Sequence, residues 1–250
     1  MRSSTLLFIL TLTFFSCQVE KKAEQSNSPG DGFDVSNSDP AAIELADSVM
    51  IAVGGRENWD KTRFISWNSA DERNIFWDKQ LSRARIENLK SNTIYLVNLN
   101  IGTGRVQTNG KEITDPDSLQ RLLKSAKSIF VNDVYWLVLP FKLKDSEVTL
   151  KYMGEDTLKG NRFNILQLTF PKSANIPQNK YKMYVDVKEK VVKYWSYYAD
   201  MNQELPTFTR PWDNYQKHGN ILLSGDRSDG DGPKGVKVEE SLSEKLFTEF

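Results

Sequence analysis

The chain has 250 residues, with 33 Lys and Arg against 33 Asp and Glu, one cysteine and one histidine. That balance lacks the basic excess of a nucleic-acid-binding domain, so no nucleic-acid partner is expected. A single cysteine and a single histidine exclude a disulfide framework, a Cys/His zinc site and a histidine-rich metal centre, and no cofactor is expected.

The N-terminus carries Arg2 and then a ten-residue apolar run, Leu6–Phe15. A spanning helix needs about 20 apolar residues and a secretory h-region about 7–15, so the run reads as a targeting segment. Phe14-Phe15-Ser16-Cys17 resembles the lipobox of bacterial lipoproteins, with Phe14 where the common pattern has Leu. The resemblance implies cleavage before Cys17, lipidation of Cys17 and attachment to a membrane of the cell envelope. Gln18 and Val19 replace the acidic residue that retains some lipoproteins at the inner membrane, so the outer membrane is expected. Without the resemblance, the same residues fit a cleaved signal peptide with Cys17 incidental. The expected division is a signal peptide over 1–16, a polar tether over 17–39 and a single domain over 40–250.

The first element of that domain reads as a helix. Asp39 suits its cap and Pro40 its first turn, Ile43, Ala46, Met50 and Val53 recur at helical spacing, and Gly54-Gly55 ends it. Strand signals follow at Arg63–Ala70, Asn74–Asp78, Ser82–Leu89 and Thr93–Ile101. Arg83, Arg85 and Glu87 alternate with Ala84 and Ile86, whereas Thr93–Ile101 is apolar on both faces and expects cover on both. Asn109-Gly110 fits a two-residue hairpin turn. A helical insertion then runs from Pro116 to Phe130 behind Asp115, with a stripe of Leu119, Leu122, Leu123, Ala126, Ile129 and Phe130. Periodicity leaves Val131–Leu139 open between helix and strand. Strands resume at Glu147–Met153, Arg162–Phe170, Tyr181–Val187 and Val191–Tyr198. Phe208–Lys217 is expected to pair with Ile221–Ser224 through Gly219-Asn220, and the loop Gly225–Gly235 leads to a last short element. The total is about eleven strands, at sandwich or barrel spacing.

The order of signal, cysteine, tether, helix, strands, helical insertion and strands is similar to the LolA/LolB lipoprotein-carrier superfamily. Gly54-Gly55-Arg56-Glu57-Asn58-Trp59, Phe76-Trp77-Asp78-Lys79, Tyr135-Trp136-Leu137 with Pro140-Phe141-Lys142-Leu143, and Pro211-Trp212-Asp213-Asn214-Tyr215 resemble an uncharacterised family of Gram-negative outer-membrane lipoproteins of that fold. The resemblance implies a mainly β fold with some α: a curved, open antiparallel β-barrel under a helical lid, over an apolar cavity. It implies a lipid or lipoprotein ligand and no chemistry.

Trp67, Trp77, Tyr95, Trp136, Phe141, Trp195 and Tyr197 are the candidates to line such a cavity; ordinary core packing of large aromatics is the competing reading. A cavity for about fifteen methylenes would offset roughly 12 kcal/mol, at ~0.8 kcal/mol per buried CH₂.

Catalytic readings are thin. His218 sits in a hairpin-tip pattern, and no nucleophile elbow or phosphate loop is present. Asp226, Asp229 and Asp231 lack a closing glutamate at calcium-loop distance. Glu57 with Asp60, Asp133 with Asp145, and Lys79 or Lys142 are the residues from which a hydrolase or lyase centre could be built. A third expectation is an envelope module that binds protein or glycan through exposed aromatics such as Trp212.

Overall fold

The computed structural model describes residues 27–170 and 179–250; Cys17 and the targeting segment lie outside them. The first part of the chain gives α1 (Pro40–Ala52), α2 (Arg56–Lys61), β1 (Phe64–Ser69), β2 (Arg73–Asp78), β3 (Arg83–Asn88), β4 (Thr93–Asn98), β5 (Gly104–Thr108) and β6 (Lys111–Glu112). The long helix α3 (Pro116–Val138) follows, then β7 (Thr149–Leu158), β8 (Asn161–Thr169), β9 (Lys180–Asp186), β10 (Val192–Tyr198) and β11 (Phe208–Pro211). The chain finishes with β12 (Tyr215–His218), β13 (Ile221–Ser224), β14 (Pro233–Glu239) and α4 (Lys245–Thr248).

These strands form a seven-stranded sheet in the order β14-β1-β2-β3-β4-β5-β6, a five-stranded sheet β11-β10-β9-β8-β7, and the hairpin β12-β13. Every pairing is antiparallel. The fold is thus mainly β, curved and unclosed, with helices laid on the sheets. Fourteen strands stand among the described residues where about eleven were expected. Part of the difference is Phe208–Lys217, read as one strand. It breaks after Pro211, because Trp212 turns inward, and its halves join different sheets.

Two cores result. In the first, α3 lies on the larger sheet, burying Leu123, Ala126, Phe130, Val134 and Leu137 against Ile65, Trp67, Ile75, Trp77 and Ile86. The apolar stripe continues past Phe130, so Val131–Val138 is helix, and Pro140 stops it. Asp115 caps α3 by accepting from Ser118 N–H at 2.9 Å. In the second core, α1 and Phe33 cover Leu150, Leu166, Leu168, Met183 and Trp195 of the smaller sheet. Asp39 does not cap α1: its carboxylate accepts from Lys151 Nζ and Tyr152 N–H of β7, both at 3.0 Å, and so fixes the helix to the sheet edge.

The two-sided cover expected for Thr93–Ile101 holds over Tyr95–Val97, which are buried, and fails at Ile101, which is exposed. α3 lies on one side, and the C-terminal residues close the other. There Arg85 donates to the carbonyls of Leu246 and Glu249, and Phe247 stacks on Phe64 at 6.2 Å. Residues 30–39, expected in the tether, lie against the domain. Gly30 N–H donates to Lys144 O at 2.7 Å, Asp34 N–H to Val148 O at 3.1 Å, and Phe33 is buried. Gly54 has φ +121°, and a Cβ there would stand 2.3 Å from Asn220 O. Glycine is what lets the β12–β13 hairpin lie against the end of α1, where Leu222 N–H donates to Val53 O at 2.8 Å.

Candidate functional site

An aromatic cleft opens between the C-terminal half of α3 and the smaller sheet. Alternation along β10 puts Trp195 and Tyr197 on one face. Register places Tyr181 of β9 and Phe208 of β11 on either side of Tyr197, giving a row of three rings across three strands. Tyr197 lies 5.5 Å from Tyr181 and 5.3 Å from Phe208. Tyr135 and Trp136 of α3 face this row, with Trp136 edge-on to Trp195 at 4.7 Å and Tyr135 stacked on Tyr181 at 6.3 Å. The cleft encloses about 200 Å³. Burial pushes the phenols of Tyr135 and Tyr181 far above the ordinary tyrosine value, so both walls stay neutral. Trp195 Nε1 is buried without a hydrogen-bond partner.

The seven expected lining residues divide. Trp136, Trp195 and Tyr197 come together in this cleft. Trp67, Trp77, Tyr95 and Phe141 lie in the first core, where rings meet rings. Phe141 stacks on Trp59 at 4.4 Å, and Trp77 meets Phe130 edge-on at 5.4 Å. Beneath the first half of α3 the space is therefore packed with side chains. Tyr135, Tyr181 and Phe208, which complete the cleft, were not singled out in the sequence. The period-2 alternation of Tyr181–Val187 and Val191–Tyr198 carried a signal for Tyr181, but cross-strand register is not visible in one strand alone.

A second hollow of about 360 Å³ adjoins the cleft, sharing Asn132 and Trp136 with it. Its walls carry three ion pairs. Arg73 donates Nε and Nη2 to Asp133 at 2.8 and 3.1 Å, tying β2 to α3, and the Asp133 bond is the chief reason the arginine's pKa rises. Arg210 meets Asp231 at 2.6 Å, and Lys234 meets Asp71 at 2.5 Å.

Trp136 is held by a feature the sequence hid. The N–H that would bond its carbonyl one helical turn on belongs to position 140, which is proline. Arg227 supplies the missing donor, Nη2 to Trp136 O at 2.6 Å, while its Nε bonds Ser224 Oγ at 2.8 Å. The guanidinium lies 3.8 Å from the Trp212 ring centroid, and burial pulls its pKa down to about 10. It remains charged at neutral pH, at the negative end of the helix dipole.

The residues weighed for catalysis do not converge. Asp133 bonds Arg73, not Asp145, and Asp145 pairs with Lys142. Glu57 pairs with Lys61, and Asp60 with Arg56, along an exposed face of α2. Lys79 lies over the Trp59 ring at 4.7 Å, and burial lowers its pKa. His218 ends β12 rather than forming a free tip: it pairs with Ile221, is half-buried, and burial lowers its pKa. Asp226 accepts from Gly235 N–H, and Asp229 from Asp231 N–H. Trp212, expected as an exposed aromatic, is fully buried, edge-on to Trp195 at 5.6 Å. A hollow of about 740 Å³ beside residues 28–30 is wide and open, with the exposed pairs of α2 on its wall.

Fold and cleft together define a helix-lidded, open antiparallel β structure with an aromatic slot beside a charged one. Residues 85–228 match the DUF6503 family, described as a family of unknown function, and the chain belongs to it. No curated protein matches the chain significantly. Among solved structures, a DUF1329 family protein from Desulfovibrio piger matches at 14% identity and TM-score 0.43, over 83% of this chain and 95% of that one. A putative outer membrane lipoprotein-sorting protein domain from Vibrio parahaemolyticus matches at 9% and 0.38, over 82% and 95%. A LolA superfamily protein from Nitrosomonas europaea matches at 10% and 0.38, over 82% and 97%. The match to a family of unknown function agrees with the uncharacterised family that the sequence motifs implied. None of these likenesses assigns a ligand. Among the described residues no helix is long and apolar enough to cross a membrane.

Proposed function

We propose that the protein is a membrane-anchored lipoprotein, tethered through Cys17 in the cell envelope, that binds one end of a lipid or acylated ligand in the aromatic cleft without chemistry. The observation that carries this reading is the cleft itself: six aromatic side chains with neutral walls around about 200 Å³. Water takes ~30 Å³ in the liquid, and a methylene is of similar size, so the space suits about seven methylenes. At ~0.8 kcal/mol each, their burial contributes about 6 kcal/mol, half of what a full acyl chain would offer. The ligand is therefore gripped by its end and released readily, as a carrier or a presenting protein requires. Trp67, Trp77, Tyr95 and Phe141 fill the core of the larger sheet and do not line the cleft.

Native mass spectrometry of the Cys17→Ser chain, mixed with single-chain amphiphiles, tests this. The expected result is one bound amphiphile per chain, lost when Tyr197 and Phe208 are both replaced by Ser. Uptake that survives that double replacement places the ligand elsewhere and contradicts the reading.

A further inference from the structure

The second hollow has a chemistry of its own. It meets the aromatic cleft at Asn132 and Trp136, so a chain held in the cleft would present its head there. Arg210 makes the junction. It lies two residues after Phe208 on β11, on the same face, with its guanidinium carbon 5.8 Å from the Phe208 ring centroid. Across the sheet it is in register with Trp195. Its Nε is buried without a hydrogen-bond partner, and its exposed Nη1 end meets Asp231 at 2.6 Å and Asp229 at 3.7 Å.

Three cations and three carboxylates line this hollow in pairs, with Glu72 as a further partner of Arg73 and Asp229 of Arg210. Arg73 faces Asp133, Arg210 faces Asp231, and Lys234 faces Asp71. The pairs differ in how they would respond to a guest. Arg73–Asp133 is bidentate, with side chains only 17% and 3% exposed, and breaking it would strand a buried charge. It forms a fixed wall. Arg210–Asp231 is 40% and 47% exposed, and Lys234–Asp71 is 35% and 71% exposed. Pairs this wet gain little from their contact and open cheaply.

A guest carrying both charges can replace one such contact by two, anion on the cation and cation on the carboxylate. A purely anionic head would meet the carboxylates of Asp71 and Asp231 at the same moment. A neutral head would have to compete with pairs that are already satisfied.

We infer that the ligand's head is zwitterionic, of the phosphoethanolamine kind, seated by an exchange of the Arg210–Asp231 ion pair. The phosphate bonds the Arg210 guanidinium, whose fork suits it, with Lys234 behind it. The ammonium bonds Asp231, with Asp71 alongside. This rests on the aromatic cleft holding the ligand's chain, and it adds the class of headgroup. The loop that presents Asp231 is held by Arg227, which reaches from it to the Trp136 carbonyl at 2.6 Å. Head and tail sites are thereby joined through one residue.

The test uses the Cys17→Ser chain and three probes with the same dodecyl tail: dodecyl phosphoethanolamine, dodecyl phosphate and dodecyl maltoside, each below its micelle concentration. Titration calorimetry should show the zwitterion binding about tenfold more tightly than either of the others. Arg210→Gln and Asp231→Asn should each bring its affinity down to that of the maltoside. Both sites are half-exposed, and unchanged thermal unfolding checks that each variant is folded. Equal binding of all three probes overturns the headgroup assignment and leaves the cleft standing. Tightest binding of dodecyl phosphate, or a zwitterion affinity indifferent to both variants, also overturns it. Binding of none overturns the cleft reading together with this one.

Discussion

At the scale of single residues, the fold is pinned by a few charged groups in apolar surroundings. Arg227 is the clearest: a buried guanidinium with no carboxylate of its own, set between a tryptophan face and a helix carbonyl orphaned by Pro140. Arg227→Ala should lower stability by about 1.5–3 kcal/mol, the range for a hydrogen bond to a charged group, and Arg227→Lys should not restore it, since one ammonium cannot reach both Ser224 and Trp136. Urea unfolding monitored by circular dichroism measures both. Asp133→Asn should cost about 1.5–3 kcal/mol, because Arg73 loses its bidentate partner beneath α3 but keeps Glu72 at 3.0 Å. Asp78 predicts the response to acid. Its burial raises the pKa, but bonds from Arg63, Leu81 N–H and Arg83 outweigh this, and the carboxyl ends below its ordinary value of 3.8. A carboxyl depressed in the folded state contributes stability that is present above its unfolded pKa and is lost as pH falls through the folded one. The urea midpoint should therefore hold from pH 7 to about 5 and drop below about 4, and Asp78→Asn should flatten that drop.

At the scale of elements, local pattern decided what was legible. The helix from Pro40 was readable because proline, apolar spacing and Gly54-Gly55 all agree. The hairpin turn at Asn109-Gly110 was readable because both residues take positive φ, 50° and 74°, as such turns require. Val131–Val138 was not, since a short apolar run fits a buried strand as well as a helix; the winning signal was the continued spacing of Phe130, Val134 and Leu137. The break at Trp212 was hidden because a strand and its interruption share composition there, and only the tertiary pocket between Trp195 and Arg227 draws that ring inward. The cleft itself was half legible. Trp136, Trp195 and Tyr197 stood out as large aromatics, whereas separating them from Trp67, Trp77, Tyr95 and Phe141 needs the placement of α3. Gly54→Ala tests the packing of elements: its Cβ meets Asn220 O at 2.3 Å. The β12–β13 hairpin must then shift, and stability should fall by more than about 1 kcal/mol in thermal unfolding.

At the scale of the whole molecule, α3 performs two tasks along its length. The stripe from Leu123 to Leu137 seals the core of the larger sheet, and Tyr135 and Trp136, on another face near the helix end, form one wall of the cleft over the smaller sheet. Under the proposed function, a lid of this kind would enclose only the end of a ligand, as in a protein that holds an amphiphile at a bilayer rather than sequestering it. On the proposed function the motif at Cys17 would supply the tether, and the polar stretch after it would set the reach. Ten residues from Cys17 to Ser26 span at most about 36 Å when extended, so the cleft would work close to the membrane surface. The most direct measurement of this account is quenching of tryptophan fluorescence in the Cys17→Ser chain by a single-chain amphiphile brominated near the end of its tail. Saturable quenching at one amphiphile per chain, largely abolished by Trp136→Phe combined with Trp195→Phe, is the predicted result. Quenching unaffected by that double replacement, or none at all, would contradict it.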